Sequence, residues 1–371
     1  MMPPPATPLP RTAVPAAIRS RLARPLRRLA ALLLLAGLAA GTAHAQESAG
    51  SAVPGYDRLT VQAAHRPAPL AASVWYPAGT RTYRGLIGDN AVFTGTPALV
   101  GAGVAAGRFP LVIVSHGSGG NMDGLGWLAA GLVQNGFMVL AVNHPGSTSG
   151  DSSPRRSLLL GARAADLKAA LDALLADPAF APHVETRTVA ALGFSLGGST
   201  VLNLAGVGIS AERYRAYCAG PGREAGDCTF FARGGVDFAA LPAGFTAPGT
   251  ADARIARFVA VEPGFSRAMT DETLTRVTKP VLLMNLGGAE RWQATDLSPA
   301  GSNLPARLPQ ASYAVVAPGH HFTFLAVCKP EGAAVLAQEQ DDPVCTDPPG
   351  TDRAKAHAAI LAAIVAFLKQ G

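Results

Sequence analysis

Thr188-Val189-Ala190-Ala191-Leu192-Gly193-Phe194-Ser195-Leu196-Gly197-Gly198 reads as an apolar strand that turns sharply into a small-residue helix around a serine. A Gly-x-Ser-x-Gly turn of this kind strains the backbone of its serine, and glycine at the flanking positions lets strand and helix approach closely. The hydroxyl of Ser195 is thereby lifted clear of the sheet, as a nucleophile requires.

Outward from this turn, apolar runs and helical patterns alternate. Strands are predicted over 111–115, 137–142, 188–192, 257–261, 280–285 and 312–316, with a helix ending near 135, another over 156–176 and a last one over 352–369. Such alternation specifies an α/β protein with a mostly parallel sheet covered on both faces. Residues 56–63 and 68–76 read as an antiparallel pair at one edge of that sheet.

The first 28 residues carry six arginines (11, 19, 21, 24, 27 and 28) and no acidic residue. The apolar stretch 29–40 is too short to span a bilayer, and Ala43-His44-Ala45 before Gln46 is a small-x-small cleavage pattern. Residues 1–45 are therefore expected to be a secretory signal peptide and 46–371 a single domain, periplasmic or secreted. Without the six arginines the 31 basic residues fall to 25, equal to the 25 acidic ones. The mature charge is zero, which gives no reason to expect nucleic acid or an acidic membrane as a partner. No later segment is apolar enough for a stable membrane span after cleavage.

Export places Cys218, Cys228, Cys328 and Cys345 in an oxidising compartment, and the short spacings favour Cys218–Cys228 and Cys328–Cys345 over the two other pairings. No Cys-x-x-Cys or His-Glu-x-x-His spacing exists, so no metal is expected. No phosphate-binding glycine loop of the Gly-x-x-x-x-Gly-Lys type is present and the chemistry implies no cofactor, so none is expected. Between 207 and 253 the alternation breaks into a stretch dense in Gly, Pro and aromatic residues, read as a cap insertion whose Phe230, Phe231 and Phe238 are candidates for the wall of an acyl pocket.

A serine hydroxyl needs a base within hydrogen-bond reach and a third group that orients the base. After Ser195 the chain offers two carboxylates that follow strands: Glu290 after 280–285, taken as the acid, and Glu262 after 257–261 as the alternative, with Asp296 behind them. Two adjacent imidazoles, His320 and His321, follow the strand 312–316, and either suits the base. The developing oxyanion needs backbone N–H groups aimed in advance. Leu196, at the head of the helix after the nucleophile, supplies one, and Ser118 in the Ser115-His116-Gly117-Ser118-Gly119-Gly120 loop supplies the other.

Together with Val142-Asn143-His144-Pro145-Gly146, Gly287-Gly288-Ala289-Glu290 and Gly319-His320-His321-Phe322-Thr323-Phe324-Leu325, these motifs resemble the α/β-hydrolase superfamily. The likeness is greatest to predicted dienelactone hydrolases and platelet-activating-factor-acetylhydrolase-like esterases, and it runs from about 55 to 370 outside the insertion. It implies an α/β-hydrolase fold and an acid after the penultimate strand, hence Glu290, although the family's usual acid is aspartate. It also implies that the histidine before Phe-x-Phe-Leu is the base, hence His321 over His320. Dienelactone hydrolases proper use cysteine as nucleophile; serine here points to ordinary ester hydrolysis of a small-molecule or lipid-like substrate. An acylhydrolase of another bond type (phospholipid acyl, thioester or amide) and a non-catalytic binding protein on a hydrolase scaffold are the alternatives.

Overall fold

The computed structural model describes residues 53–246, 249, 251–288 and 291–370. The leader expected at 1–45 lies outside them. Ten strands form one sheet: β1 (Gly55–Val61), β2 (Leu70–Tyr76), β3 (Arg84–Ile87), β4 (Thr96–Val100), β5 (Phe109–Ser115), β6 (Met138–Val142), β9 (Val184–Phe194), β10 (Ile255–Val261), β11 (Val281–Leu286) and β12 (Ala311–Val316), with β7 (Ser147–Thr148) and β8 (Asp151–Ser152) as a separate two-residue hairpin. The sheet order is β12-β11-β10-β9-β5-β6-β2-β1-β4-β3. From β12 to β6 every pairing is parallel; β2 joins β6 antiparallel, and β1 joins β2 likewise.

Each parallel strand is apolar at nearly every position because both of its faces are buried. Val112, Val114, Val259, Val261, Leu282 and Met284 face a core shared with α1 (Gly126–Gln134) and α11 (Arg353–Leu368), the latter through Ile360, Ile364 and Phe367. The intervening residues Leu111, Ile113, Phe258, Ala260, Val281 and Leu283 face the opposite core, filled by α3 (Leu160–Ala176) and α4 (Leu196–Leu204). A short α2 (Pro154–Ser157) precedes α3, so the helix expected over 156–176 is broken at Leu158 and Leu159.

The antiparallel pair at the amino terminus is present, yet it is not the edge. β4 pairs with β1 and β3 with β4, extending the sheet by two strands. These strands are four and five residues long, and β4 carries Pro97, which cannot donate to a ladder, so no alternating pattern announces them.

The stretch 207–253 contains α5 (Ala211–Ala219), α6 (Gly226–Arg233) and α7 (Ala243–Thr246), each too short to show a period. Tyr214, fully buried, is ringed by Phe238, Phe245 and Phe265 at centroid distances of 5.7, 5.6 and 5.1 Å. Cys218–Cys228 ties α5 to α6, and Cys328–Cys345 spans α10 (Gly332–Glu339); both local pairings are formed. Two further one-turn helices, α8 (Asp271–Leu274) and α9 (Leu304–Arg307), complete the chain. No helix among the described residues is long and apolar enough to cross a membrane.

Candidate active site

The carboxyl ends of the parallel strands β5, β9, β10 and β12 lie at one edge of the sheet, and after β5 the chain passes to β6 on one side and then crosses back to β9 on the other. In open α/β sheets such a reversal opens a crevice for ligands. Ser195 stands in it, between β9 and α4, with φ 55° and ψ −120°. Two close approaches enforce that geometry. A Cβ on Gly193 would lie 2.0 Å from the Gly197 carbonyl oxygen, and one on Gly197 would lie 1.9 Å from that of Ser115. Neither position tolerates a side chain.

His321 opens a 3-10 turn, His321–Phe324, and its Nε2 is 3.1 Å from Ser195 Oγ. Its Nδ1 is 2.7 Å from Glu262 Oε2. A carboxylate only accepts, so Nδ1–H donates to Glu262 and Nε2 is left to accept the Ser195 proton. Glu262, fully buried at the end of β10, has a left-handed backbone (φ 48°). Its Oε1 accepts from Asn285 Nδ2 and from the Leu286 N–H, both at 2.8 Å, and Oε2 from Thr295 Oγ1 at 3.3 Å. Asn285 is held in turn by Thr295 O, the Leu297 N–H and the Tyr313 hydroxyl.

Glu290, the acid preferred on resemblance, lies outside the described residues; the carboxylate that meets Nδ1 is the alternative, Glu262. Asp296 is engaged elsewhere, accepting from the Ser298 N–H and hydroxyl. His320 is a cap: its Nδ1 accepts from the Phe322 N–H at 3.1 Å and its Nε2 reaches Thr346 O at 2.9 Å. The turn is further anchored by the Thr323 hydroxyl on Asp347, Trp127 Nε1 on Phe324 O, and His357 on the carbonyls of Thr323 and Leu325.

Leu196 begins α4 directly after the serine. The loop carrying Ser118 lies against the same residue, since a Cβ on Gly117 would come 3.2 Å from Ser195 Cβ. Beneath this loop runs a polar network that sequence reading missed. Arg163 of α3, 2% exposed, donates to Thr200 Oγ1 (2.8 Å), Ser147 Oγ, Ser115 Oγ (3.2 Å) and His116 O (2.5 Å). Ser115 Oγ also meets His144 Nε2 at 2.9 Å, and His144 Nδ1 meets Asp166 Oδ2 at 2.9 Å. Asp166 takes a two-pronged contact from Arg66, 2.7 Å on each oxygen. The Arg163-x-x-Asp166 spacing, which sets both charges on one helix face, was the available signal.

Burial, then the charge of Arg163, holds His116 and His144 far below the ordinary histidine value, so both are neutral. Burial also draws Arg163 down to about 9, against the pull of Asp166. Burial works to raise Asp166, but hydrogen bonds from His144 and Arg66 outweigh it and keep the carboxyl ionised.

A cleft of about 280 Å³ opens beside His321, lined by Arg291, Trp292, His320, His321 and Phe322. Trp292 packs on His321 at 4.4 Å between ring centroids. The insertion reaches the cleft through Gly226, where a Cβ would lie 2.5 Å from the Trp292 ring. The phenylalanines expected as pocket walls behave differently. Phe231 is buried against Phe265, and the partly buried Phe238 packs on Tyr214, both joining the core on the α3/α4 side of the sheet, and Phe230, 40% exposed, rests on Phe231.

Residues 111–367 match the model of the alpha/beta hydrolase family. No curated protein sequence matches the chain. Among solved structures, a ferulic acid esterase from Streptomyces cinnamoneus is similar with a TM-score of 0.54 at 19% identity, over 85% of this chain and 88% of that one. A dienelactone hydrolase from Anabaena variabilis gives 0.40 at 16% identity, over 78% and 96%. At such identities the likeness of the first speaks for the fold alone. The family model covers more than two thirds of the sequence, and with the sheet order and the strained serine turn it places the chain in the alpha/beta hydrolase family.

Proposed function

We propose that the protein is an exported serine hydrolase that cleaves carboxylic esters through an acyl-enzyme. The observation that carries this reading is the hydrogen-bonded chain Ser195–His321–Glu262 on a strained turn at the edge of a cleft. Ser195 Oγ attacks the ester carbonyl carbon while its proton passes to His321 Nε2, and the carbonyl oxygen becomes an anion held by the N–H groups of Ser118 and Leu196. His321 then hands the proton to the departing alkoxide, and the C–O ester bond breaks. Water attacks the acyl-enzyme, giving its proton to His321, which returns one to Ser195 as the acid leaves. Glu262, in place of Glu290, keeps Nδ1–H aimed at itself and offsets the charge of the imidazolium. The two disulfides are compatible with export, and the contact of Gly226 with Trp292 supports a cap role for 207–253.

A panel of p-nitrophenyl esters of rising acyl length, with labelling by a fluorophosphonate, tests the reading. Turnover with a pre-steady-state burst and single-site labelling at Ser195 is the expected outcome. Absence of both refutes it.

A further inference from the structure

The two N–H groups assigned to the oxyanion belong to different elements, the loop after β5 and the first turn of α4, and something must set the gap between them. One buried side chain bonds to both sides. Arg163 Nη2 donates to His116 O, two residues before Ser118, while Nε donates to Thr200 Oγ1, whose own proton goes to Leu196 O at 2.8 Å. A third arm, Nη1, holds Ser147 Oγ, and Ser147 O accepts from the Gly119 N–H at 2.9 Å, fixing the far side of the same loop. The guanidinium is planar and rigid, so three elements pinned to its fork share one frame.

Its charge is placed with equal economy. All four acceptors are neutral oxygens, and among the described residues no carboxylate lies within ion-pair distance of it. Asp166 is taken by Arg66 and His144. A positive charge without a bonded counter-ion therefore sits directly behind the loop that would meet the oxyanion, in surroundings dry enough to weaken screening.

We propose that Arg163 is the positioning residue of the oxyanion site: it sets the distance between the Ser118 and Leu196 amides by clamping His116 O and Thr200 Oγ1. This rests on the acyl-enzyme reading above. Positioning of this kind acts on the transition state and leaves ground-state binding untouched, so kcat falls while KM holds.

The test uses the full chain and normalises every rate to the number of serines that react with a fluorophosphonate. The variants are Arg163→Lys, which keeps charge without the fork, Thr200→Val, which cuts the link to α4, and Ser147→Ala, which cuts the third arm. Per titrated serine, kcat for a p-nitrophenyl ester should fall about 100-fold in Arg163→Lys and about 5- to 10-fold in the other two, with KM within about twofold. Affinity for an alkyl boronic acid, whose tetrahedral adduct carries the negative charge, should fall by the same factors. Should Arg163→Lys fail to fold, Thr200→Val and Ser147→Ala decide the matter alone. Per-serine kcat and boronate affinity unchanged in both, with only the melting temperature lowered, overturn the positioning role. A parent enzyme with no burst and no reactive Ser195 takes down the acyl-enzyme reading and the positioning role together.

Discussion

Two chains of the form serine–histidine–carboxylate run through this molecule within a few residues of each other at the β5–β9 junction. In the outer one, Ser195, His321 and Glu262 are linked at 3.1 and 2.7 Å. In the inner one, Ser115, His144 and Asp166 are linked at 2.9 Å twice, with the same ring nitrogens in the same order. Only their settings differ. Ser115, His144 and Asp166 are all fully buried, and Ser115 ends an ordinary strand with its hydroxyl also receiving Arg163. Ser195 stands on a left-handed turn at a helix head, and His321 lines the cleft. The comparison separates what a hydrogen-bond order can do from what catalysis needs in addition: access, a strained turn that presents the oxygen, and N–H donors waiting for the anion. The inner chain is tied instead to the loop after β5 through Arg163, which donates to both Ser115 Oγ and His116 O.

The sharpest way to break this contrast is at the two serines. Ser195→Ala should lower ester turnover by several powers of ten with the fold intact, and should abolish fluorophosphonate labelling. Ser115→Ala should still be labelled. Labelling that survives in Ser195→Ala and disappears in Ser115→Ala would reverse the two roles.

The carboxylates come next. Glu262→Gln should reduce per-site kcat by about three to four powers of ten, because the Asn285 and Leu286 donors claim the amide oxygen and turn its NH2 toward Nδ1, and a neutral amide does not balance the imidazolium. Asp166→Asn should leave per-site kcat within about tenfold and instead lower unfolding stability by about 3 kcal/mol, since Arg66 loses its buried partner. Urea denaturation and titrated kinetics on both variants separate the effects; a Glu290→Gln variant more damaging than Glu262→Gln would return the acid to the place the family resemblance implies.

The smallest effect is a pH dependence, and it reads the inner region. His116, His144, His320 and His357 are pushed below the ordinary 6.5 chiefly by burial, His357 to about 4. The unfolded chain therefore takes up protons between pH 6.5 and about 4 that the folded chain refuses, and the stability these groups confer is present above 6.5 and lost as pH falls. Asp227 and Asp123 act oppositely. Burial raises both, Asp227 to about 6, so their contribution is present below 3.8 and lost as pH rises through the folded value. Four imidazoles against two carboxyls leave at least one net proton, or about 1.4 kcal/mol or more of stability lost per pH unit near pH 5. Urea midpoints at pH 7 and pH 5 measure it, and equal midpoints would remove the claim that these histidines are neutral in the folded chain.

Much of the molecule was legible along the chain. The six parallel strands, the turn at Ser195 and the local disulfides all rest on signals confined to about ten or twenty residues: apolar runs, flanking glycines, short cysteine spacings; the choice of His321 over its neighbour came from the family resemblance. The boundaries moved by a few residues, as at β9, which runs Val184–Phe194 where the sequence predicts only 188–192. What escaped was held by long-range contact. Strands β3 and β4 exist because β1 offers an open edge, and their own four and five residues carry no period.

The acid is the instructive case. Sequence alone determined that a carboxylate must follow a late strand, because only there does the chain return to the edge where Ser195 stands. Which carboxylate among the described residues meets His321 follows from the sheet: β10 lies between β9 and β11, so Glu262 at its end is next to Ser195, and Asn285 and Leu286 from β11 close over its oxygens. The polar network beneath the loop was decided the same way, with Arg163 gathering partners 16 to 48 residues away that share no local pattern. A strand or a turn is encoded by neighbours in the chain; a buried hydrogen bond between distant residues exists only once packing has excluded water and brought its partners within 3 Å or so.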